Sequence, residues 1–313
     1  KKIILFELSE FNLFKIEREC LALISSKQLD TLIIPILGDI RDPDNLRHIF
    51  TKFSVDFVYH AAAYKHVPLV EDDNNLAKAS ENNILGTNNL ALAAIEGGVS
   101  SFVMISTDKA VRPANVMGAT KRFAEIIIQS LNAETSSTRL SMVRFGNVIN
   151  SSGSVIPLFL DQIAQGGPVT VTDKKVERFF MTIPEASSLV IQAGEMSSGG
   201  EVFILDMGEQ VRIYDLAKKL IHLSGRNFVE NSDDEGIQIL EVGLRPGEKL
   251  YEELLISGSE IRTNNKKIFK ANESFISQKD LLPILKKMQN CIKIYDNEGI
   301  IKILSSHVEG FTR

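Results

Sequence analysis

The stretch FVMISTDKAVRPANVMGATK, residues 102–121, decides the fold. Its first four residues form an apolar run that reads as a buried strand, ending in hydroxyls, a carboxyl and an amine at Ser106, Thr107, Asp108 and Lys109. After a Pro-containing turn, Met117-Gly118-Ala119-Thr120-Lys121 opens a helical pattern continued by Phe123, Ile126, Ile127 and Leu131. Met117 and Lys121 stand four apart and so share one helix face. A polar strand end and a polar helix start around one crevice are where an open α/β sheet takes its ligand. Alone, Ser106 to Lys109 would read equally as a loop with a solvated lysine. The remainder of the chain gives the stretch its meaning.

Upstream, strands and helices alternate. Residues 3–6 (IILF) form a short apolar run ending at Glu7, as a buried parallel strand does. A helix is expected next, with Phe11, Phe14, Ile16, Leu21 and Ile24 as its apolar positions. Residues 32–37 form another strand, which Pro35 confines to a sheet edge or its margin. Asp42 caps a helix with Pro43 at its first position. Residues 55–59 make a strand that leads into His60-Ala61-Ala62-Ala63-Tyr64-Lys65-His66, where three alanines leave room for a flat ligand against the backbone. A long helix is expected over about 77–96, stopped by Gly97-Gly98. Residues 140–145 add one more strand beyond the opening stretch. This alternation predicts an α/β fold with a doubly wound parallel sheet.

From Gly146 the pattern loosens. Residues 147–154 (NVINSSGS) read as a polar loop and Val155 opens a helix. A short strand is expected at 169–171, a helix at 184–196, a strand returning to the main sheet at 202–207 and a helix at 214–223. The expected domains are residues 1–150, to which about 178–207 return, and a smaller C-terminal substrate-binding domain within 151–313. No Gly-rich turn follows any strand, and the chain reads as though it began at a second strand. The expectation is that residues before Lys1 supply the first strand and the pyrophosphate-binding loop.

Composition bounds the partners. The chain has 313 residues, is 44% hydrophobic and 24% charged, and carries a net charge of −5, leaving no basic footprint for nucleic acid or anionic membrane. Cys20 and Cys291 form no metal or redox motif, which fits a reducing, cytoplasmic setting. No apolar run reaches membrane-spanning length, so membrane association would need a segment upstream of Lys1.

Several stretches in order resemble the extended short-chain dehydrogenase/reductases, and more narrowly the UDP-N-acetylglucosamine 4,6-dehydratases of capsule and O-antigen synthesis. They are FELSEFNL (6–13), GDIRD (38–42), HAAAYKHVPLVE (60–71), NILGT (83–87), STDKAVRPANVMGATKR (106–122), RFGNVINSSGSVIPLF (144–159), RFFMTIPEA (178–186) and LRPGEKLYEEL (244–254). The resemblance implies a Rossmann-like nucleotide-binding domain and NAD as cofactor. Glu7 would take the ribose hydroxyls, Asp39 and Ile40 the adenine, and Ala61, Ala62, Ala63 and Asn83 would line the channel. An acid at position 7 would repel a 2′-phosphate, so NAD is favoured over NADP. The substrate implied is a UDP-sugar, its nucleotide end meeting Asn147, Ser154, Arg178, Arg245 and Glu248, with Lys65 beside it and His66 as a structural hydrogen-bonder. A homo-oligomer is expected, since relatives commonly pair through the helices near 77–96 and 117–135.

Most members of that superfamily carry Tyr-x-x-x-Lys, and here the Tyr position is Met117, which has no titratable proton. Lys121 matches and would bind the nicotinamide ribose. The resemblance then puts the dehydration chemistry on Thr107, Asp108 and Lys109. C4 is oxidised, C5 deprotonated, the C6 hydroxyl lost as water, and hydride returned to C6. Asp108 would be the acid for the leaving hydroxyl, Lys109 the C5 base, and Thr107 a hydrogen-bond partner of the C4 hydroxyl. As a base Lys109 needs a depressed pKa, which nearby Lys121 and the oxidised nicotinamide are expected to provide. The group that accepts the C4 hydroxyl proton is left open. A C5-inverting dehydratase or a 4-epimerase is the alternative, although both normally keep the Tyr. A cofactor-binding regulator without chemistry is a third reading.

Overall fold

In a computed structural model, which describes residues 1–231, 235–254 and 260–312, strands and helices alternate from the start. The order is β1 (Lys2–Glu7), α1 (Glu10–Lys27), β2 (Leu32–Leu37), α2 (Pro43–Lys52) and β3 (Phe57–His60). Next come α3 (Val67–Val70), α4 (Asp73–Ser80), a π-helical segment (Glu81–Gly86), α5 (Thr87–Glu96), β4 (Ser101–Thr107), α6 (Val116–Glu134) and β5 (Arg139–Phe145). Shorter elements follow: β6 (Asn147–Val148), α7 (Val155–Ala164), β7 (Val169–Val171), β8 (Glu177–Arg178), β9 (Phe180–Met181) and the longer α8 (Ile183–Met196). Then come β10 (Val202–Leu205), β11 (Val211–Arg212), α9 (Ile213–Leu223), β12 (Phe228–Val229) and β13 (Ile237–Glu241). The last are β14 (Ile261–Arg262), β15 (Ile268–Ala271), α10 (Gln278–Lys293) and α11 (Asn297–His307).

The main sheet has the order β14-β15-β10-β5-β4-β3. Its strands β3, β4, β5 and β10 are parallel, and β15 and β14 join antiparallel at the far edge. Strand β4 lies between β3 and β5, with His60 opposite Met104 and Phe145 opposite Thr107. The C-terminal ends of these strands therefore converge on the polar stretch, as a doubly wound sheet requires of a ligand site. Strands β1 and β2 form a separate parallel pair, and among the described residues β3 pairs only with β4.

Local signals account for most boundaries. The Asp42 carboxylate accepts from the backbone N–H groups of Asp44 and Asn45, both at 3.1 Å, with Pro43 at the first helical position. Helix α5 stops at Gly97, and Gly98 takes the positive φ of 72° that a helix exit needs. Pro35 sits in β2, which has a partner on one side only. A smaller hydrophobic cluster, with Phe159, Ile163, Val169, Val171, Ile213, Ala217, Ile221 and Ile237, unites α7, β7, α9 and β13 into a smaller unit.

Four expectations are corrected. The helix expected near 77–96 starts at Asp73 and contains the π-helical segment, which lies where Asn83 bonds sideways to the loop after β3. In α1 only Leu13 is buried, while Phe11, Phe14, Ile16 and Leu21 are exposed, because the helix packs on the two-stranded β1–β2 pair alone. Residues 261–312 do not stay with the smaller unit: β15 hydrogen-bonds along β10, and α10 buries Leu281, Leu285, Met288 and Ile292 in the main core. Finally, every residue of α6 from 116 to 131 is buried, because β4 and β5 lie beneath it and α10 and α11 cover it. Of the 117–135 helix, only the end beyond Leu131 keeps exposed surface. Among the described residues no helix is long and apolar enough to cross a membrane.

Candidate active site

The site begins with two close backbone approaches. Asn115 caps α6, its side chain accepting from the Gly118 N–H at 2.8 Å. A Cβ on Gly118 would collide with the Lys109 carbonyl oxygen, so glycine lets the helix start press on the end of β4. On the other side a Cβ on Gly146 would stand 2.8 Å from the Phe179 Cβ and 3.2 Å from Asp108 Oδ2. Thr107 to Lys109 are thus clamped between α6 and the loop leaving β5.

Asp108 is fully buried. Its Oδ1 accepts from the Thr107 hydroxyl at 2.8 Å and from Lys109 Nζ at 3.0 Å, whereas Oδ2 has no partner among the described residues. Lys109 Nζ also donates to Asn147 Oδ1 at 3.3 Å and lies 3.7 Å from Glu252 Oε1. Burial alone would lower the Lys109 pKa, but the carboxylates of Asp108 and Glu252 outweigh it and hold the ammonium above its ordinary value. This corrects the expected depression. Glu252 is 5% exposed, and burial, with Asp108 adding to it, pushes its carboxyl above the usual range against Lys109, Arg178 and Lys249.

Lys121 behaves in the opposite way. It is buried, its Nζ donates to the Ile105 carbonyl at 2.7 Å, and desolvation lowers its pKa to about 8. Beside it, His60 Nε2 bonds to Thr87 Oγ1 at 2.8 Å, and that hydroxyl donates to the Asn83 carbonyl at 2.7 Å. The hydroxyl proton being committed, Nε2 carries the ring proton and Nδ1 is a buried acceptor without a partner among the described residues. Burial, helped by Lys121, lowers the His60 pKa to about 3, so the ring is neutral. Met117 is 3% exposed and belongs to the main hydrophobic cluster. It brings no proton to the site.

The residues assigned to the nucleotide end do come together. Asn147, Ser154, Arg178, Arg245 and Glu248 all line one cleft of about 210 Å³, with Thr172, Val155, Phe159 and Ile213 among its other walls. Their individual roles differ from expectation. Arg178 is clamped inside the protein, donating to the carbonyls of Glu177, Lys249 and Leu250 and to Glu248 Oε1. Glu248 accepts from the Thr172 hydroxyl at 2.9 Å and from the Arg245 N–H at 3.2 Å, which ties down the 245–248 turn. Arg245, by contrast, is exposed, and among the described residues its guanidinium has no acidic partner. Ser154 stands at the N-cap of α7 with a buried hydroxyl that has no partner among the described residues. Lys65 is exposed, and the His66 ring packs against Gly153, joining the loop after β3 to the loop before α7.

The cofactor-side residues divide similarly. Glu7 ends β1 with Oε1 accepting from the Ser9 N–H at 3.0 Å, and Ala61 and Ala62 are exposed beyond β3 with Ala63 partly so. The Asp39 carboxylate is held by Arg41, through Nη2 at 2.5 Å and Nε at 2.9 Å, and this hydrogen bonding keeps its pKa low. Ile40 is buried beneath Gly86. The Asn83 amide is engaged at both ends, by the Tyr64 backbone and by Thr120 Oγ1. Glu7, the alanines and Lys121 fit a dinucleotide, whereas the side chains of Asp39, Ile40 and Asn83 support the loops around it. The sequence reading missed Glu252. It stands in the quoted 244–254 stretch beside Glu253, which faces outward to Arg112 at 2.8 Å, and nothing in the pattern separates the two acids.

Over 257 residues the chain is 54% identical to the capsular polysaccharide biosynthesis protein CapD of Staphylococcus aureus, covering 82% of this chain and 41% of the relative. The chain thus spans about two fifths of that relative's length. A UDP-N-acetylglucosamine 4,6-dehydratase (inverting) from Campylobacter jejuni is 36% identical over 224 residues, covering 71% of this chain and 62% of the relative. Among solved structures, Pen from Bacillus thuringiensis superposes with a TM-score of 0.74 at 35% identity, covering 92% of this chain and 90% of that one. The model of the family described as "Polysaccharide biosynthesis protein" matches residues 1–273, and with it the chain is placed: it belongs to that family.

Proposed function

We propose that this chain carries the active site of an NAD-dependent nucleotide-sugar 4,6-dehydratase, a hydro-lyase of surface polysaccharide synthesis. The substrate would be UDP-N-acetylglucosamine and the product a UDP-4-keto-6-deoxy-N-acetylhexosamine. One observation carries the reading: the Thr107–Asp108–Lys109 cluster, built on the buried Asp108, touches, through Asn147, the cleft that gathers Ser154, Arg178, Arg245 and Glu248. Asn147 thus links the candidate acid and base to the candidate nucleotide cleft. The absence of a titratable group at Met117 favours dehydration, which can draw its proton transfers from Asp108 and Lys109, over a reaction run by a Tyr.

Glu7, Ala61, Ala62, Ala63 and Lys121 would hold NAD. Bound there, NAD would supply the hydride acceptor for C4 and the hydride donor for C6. Arg245 and the Ser154 hydroxyl face the cleft and suit a diphosphate. Thr107 would hold the C4 hydroxyl, Asp108 would protonate the departing C6 oxygen, and Lys109 would exchange the C5 proton. The test is incubation of the purified protein with UDP-N-acetylglucosamine and NAD in deuterated water, followed by NMR. Appearance of a C6 methyl and a C4 ketone, with deuterium at C5, is expected. Unchanged substrate, or a C4 epimer without loss of water, would overturn the proposal.

A further inference from the structure

Lys109 presents a difficulty that its surroundings resolve. An amine that removes the C5 proton must first lose one of its own, yet two carboxylates hold Lys109 as an ammonium. We infer that Glu252 is a positioning residue that acts through Lys109, holding its charge at rest and taking its proton when the amine is needed. This rests on the function proposed above for its purpose, but not for its geometry.

The two candidate acceptors differ in their surroundings. Asp108 Oδ1 accepts two hydrogen bonds, from Thr107 and Lys109. Glu252 Oε2 is buried and has no hydrogen-bond partner among the described residues. Its Oε1 meets Lys109 Nζ at 3.7 Å and Arg178 Nε at 3.9 Å, both beyond hydrogen-bond reach. A buried carboxylate so weakly solvated gains most from a proton. The charged groups around it are Lys109, Asp108, Arg178 and Lys249.

In the step inferred, Lys109 Nζ closes the 3.7 Å gap to Glu252 Oε1, an Nζ–H bond breaks, its electrons stay on nitrogen, and the proton forms an O–H bond on Glu252. The nitrogen lone pair then takes the C5 proton while the C5–H electrons move toward the C4 carbonyl. The pair returns to its resting charges when C5 is reprotonated and Glu252 gives its proton back. Proton count and charge balance within the two side chains, so no outside acid or base is required.

The test reads Lys109 directly. Trace acetylation of the intact protein across pH, with mass spectrometry of the Lys109 peptide, gives that amine's titration midpoint. Glu252→Gln should lower the midpoint by about one pH unit or more, and Glu253→Gln, one residue away at the surface, should leave it alone. An unchanged midpoint in Glu252→Gln overturns the inference. Should that variant lose its fold, Glu252→Asp carries the same test, with a smaller fall in the same direction expected and no fall overturning it. With UDP-N-acetylglucosamine, Glu252→Gln should lower kcat by about 10- to 100-fold at neutral pH, recover as pH rises, and keep KM near wild type. Equal losses at every pH would mark a purely structural role and overturn it. A wild-type protein that makes no 4-keto product refutes the proposed function, and the labelling midpoint still decides the role of Glu252.

Discussion

Two buried lysines frame the crevice, and their neighbourhoods push them in opposite directions. Lys109 sits among Asp108, Glu252 and Asn147 and is held protonated. Lys121 has a backbone carbonyl for its hydrogen bond and is brought to about 8 by desolvation. Burial is common to both, so the difference lies in which charges face the ammonium. One lysine is built to hold a proton until a partner takes it. The other is poised to be partly neutral near physiological pH and to carry its charge when an anion arrives.

The comparison breaks most easily at Lys109. Lys109→Ala should lower formation of the 4-keto-6-deoxy product by roughly two to four orders of magnitude and abolish deuterium entry at C5. C4 oxidation should survive, visible as accumulated nicotinamide absorbance. Product at near wild-type rate would place the base elsewhere.

A second break lies behind Lys121. Glu125 is fully buried, accepts from the Ser106 hydroxyl at 2.6 Å and from Arg144 Nε at 2.8 Å, and faces Arg122 as well. Glu125→Gln leaves the buried Arg144 with Glu273 alone and should cost about 3–5 kcal/mol in urea unfolding. It should also depress Lys121 further, because Glu125 is the charge that opposes desolvation there.

Linkage sharpens the contrast. The unfolded chain binds a proton at Lys121 up to an ordinary 10.5, while the folded chain releases it from about 8, so between these values the unfolded state holds more protons. Stability from this group therefore rises with pH across that window, and the penalty is in full force below it. Lys121→Met should relieve a penalty on the order of 3 kcal/mol at pH 7, fading toward pH 10.5. The constant loss of the Ile105 hydrogen bond cancels when the two pH values are compared. A pH-independent difference would refute the depressed pKa.

The smallest effect is expected at the position between them. Met117→Tyr forces a larger ring into a packed site and should lower stability by about 1–3 kcal/mol. It should not raise activity, and a gain in turnover would mean that a phenol proton was wanted there after all.

Much of this site was legible because its signals are local. Asp42-Pro43 and the hydroxyl, acid and amine ending an apolar run are each read within a few residues. What escaped depends on distant chain. Glu252 reaches Lys109 from far along the sequence, and its burial against the exposure of Glu253 depends on a turn fixed by Arg178. Arg178, Glu248 and Asn83 were legible as members of the site but not as its supports, because sequence gives residue types and not the hydrogen bonds they have already made. The apolar positions of α1 failed for a related reason: periodicity marks a face without showing how much surface covers it.

The cover over α6 has a consequence for how the protein responds to dilution. A helix sheltered by another subunit loses its shelter as protein concentration falls, and its melting temperature falls with it. Here the shelter is α10 and α11, tethered to the same chain, and a tethered partner keeps a fixed effective concentration. Unfolding of the helix that carries Lys121 should therefore be first order in protein, with a midpoint that does not move from nanomolar to micromolar solutions.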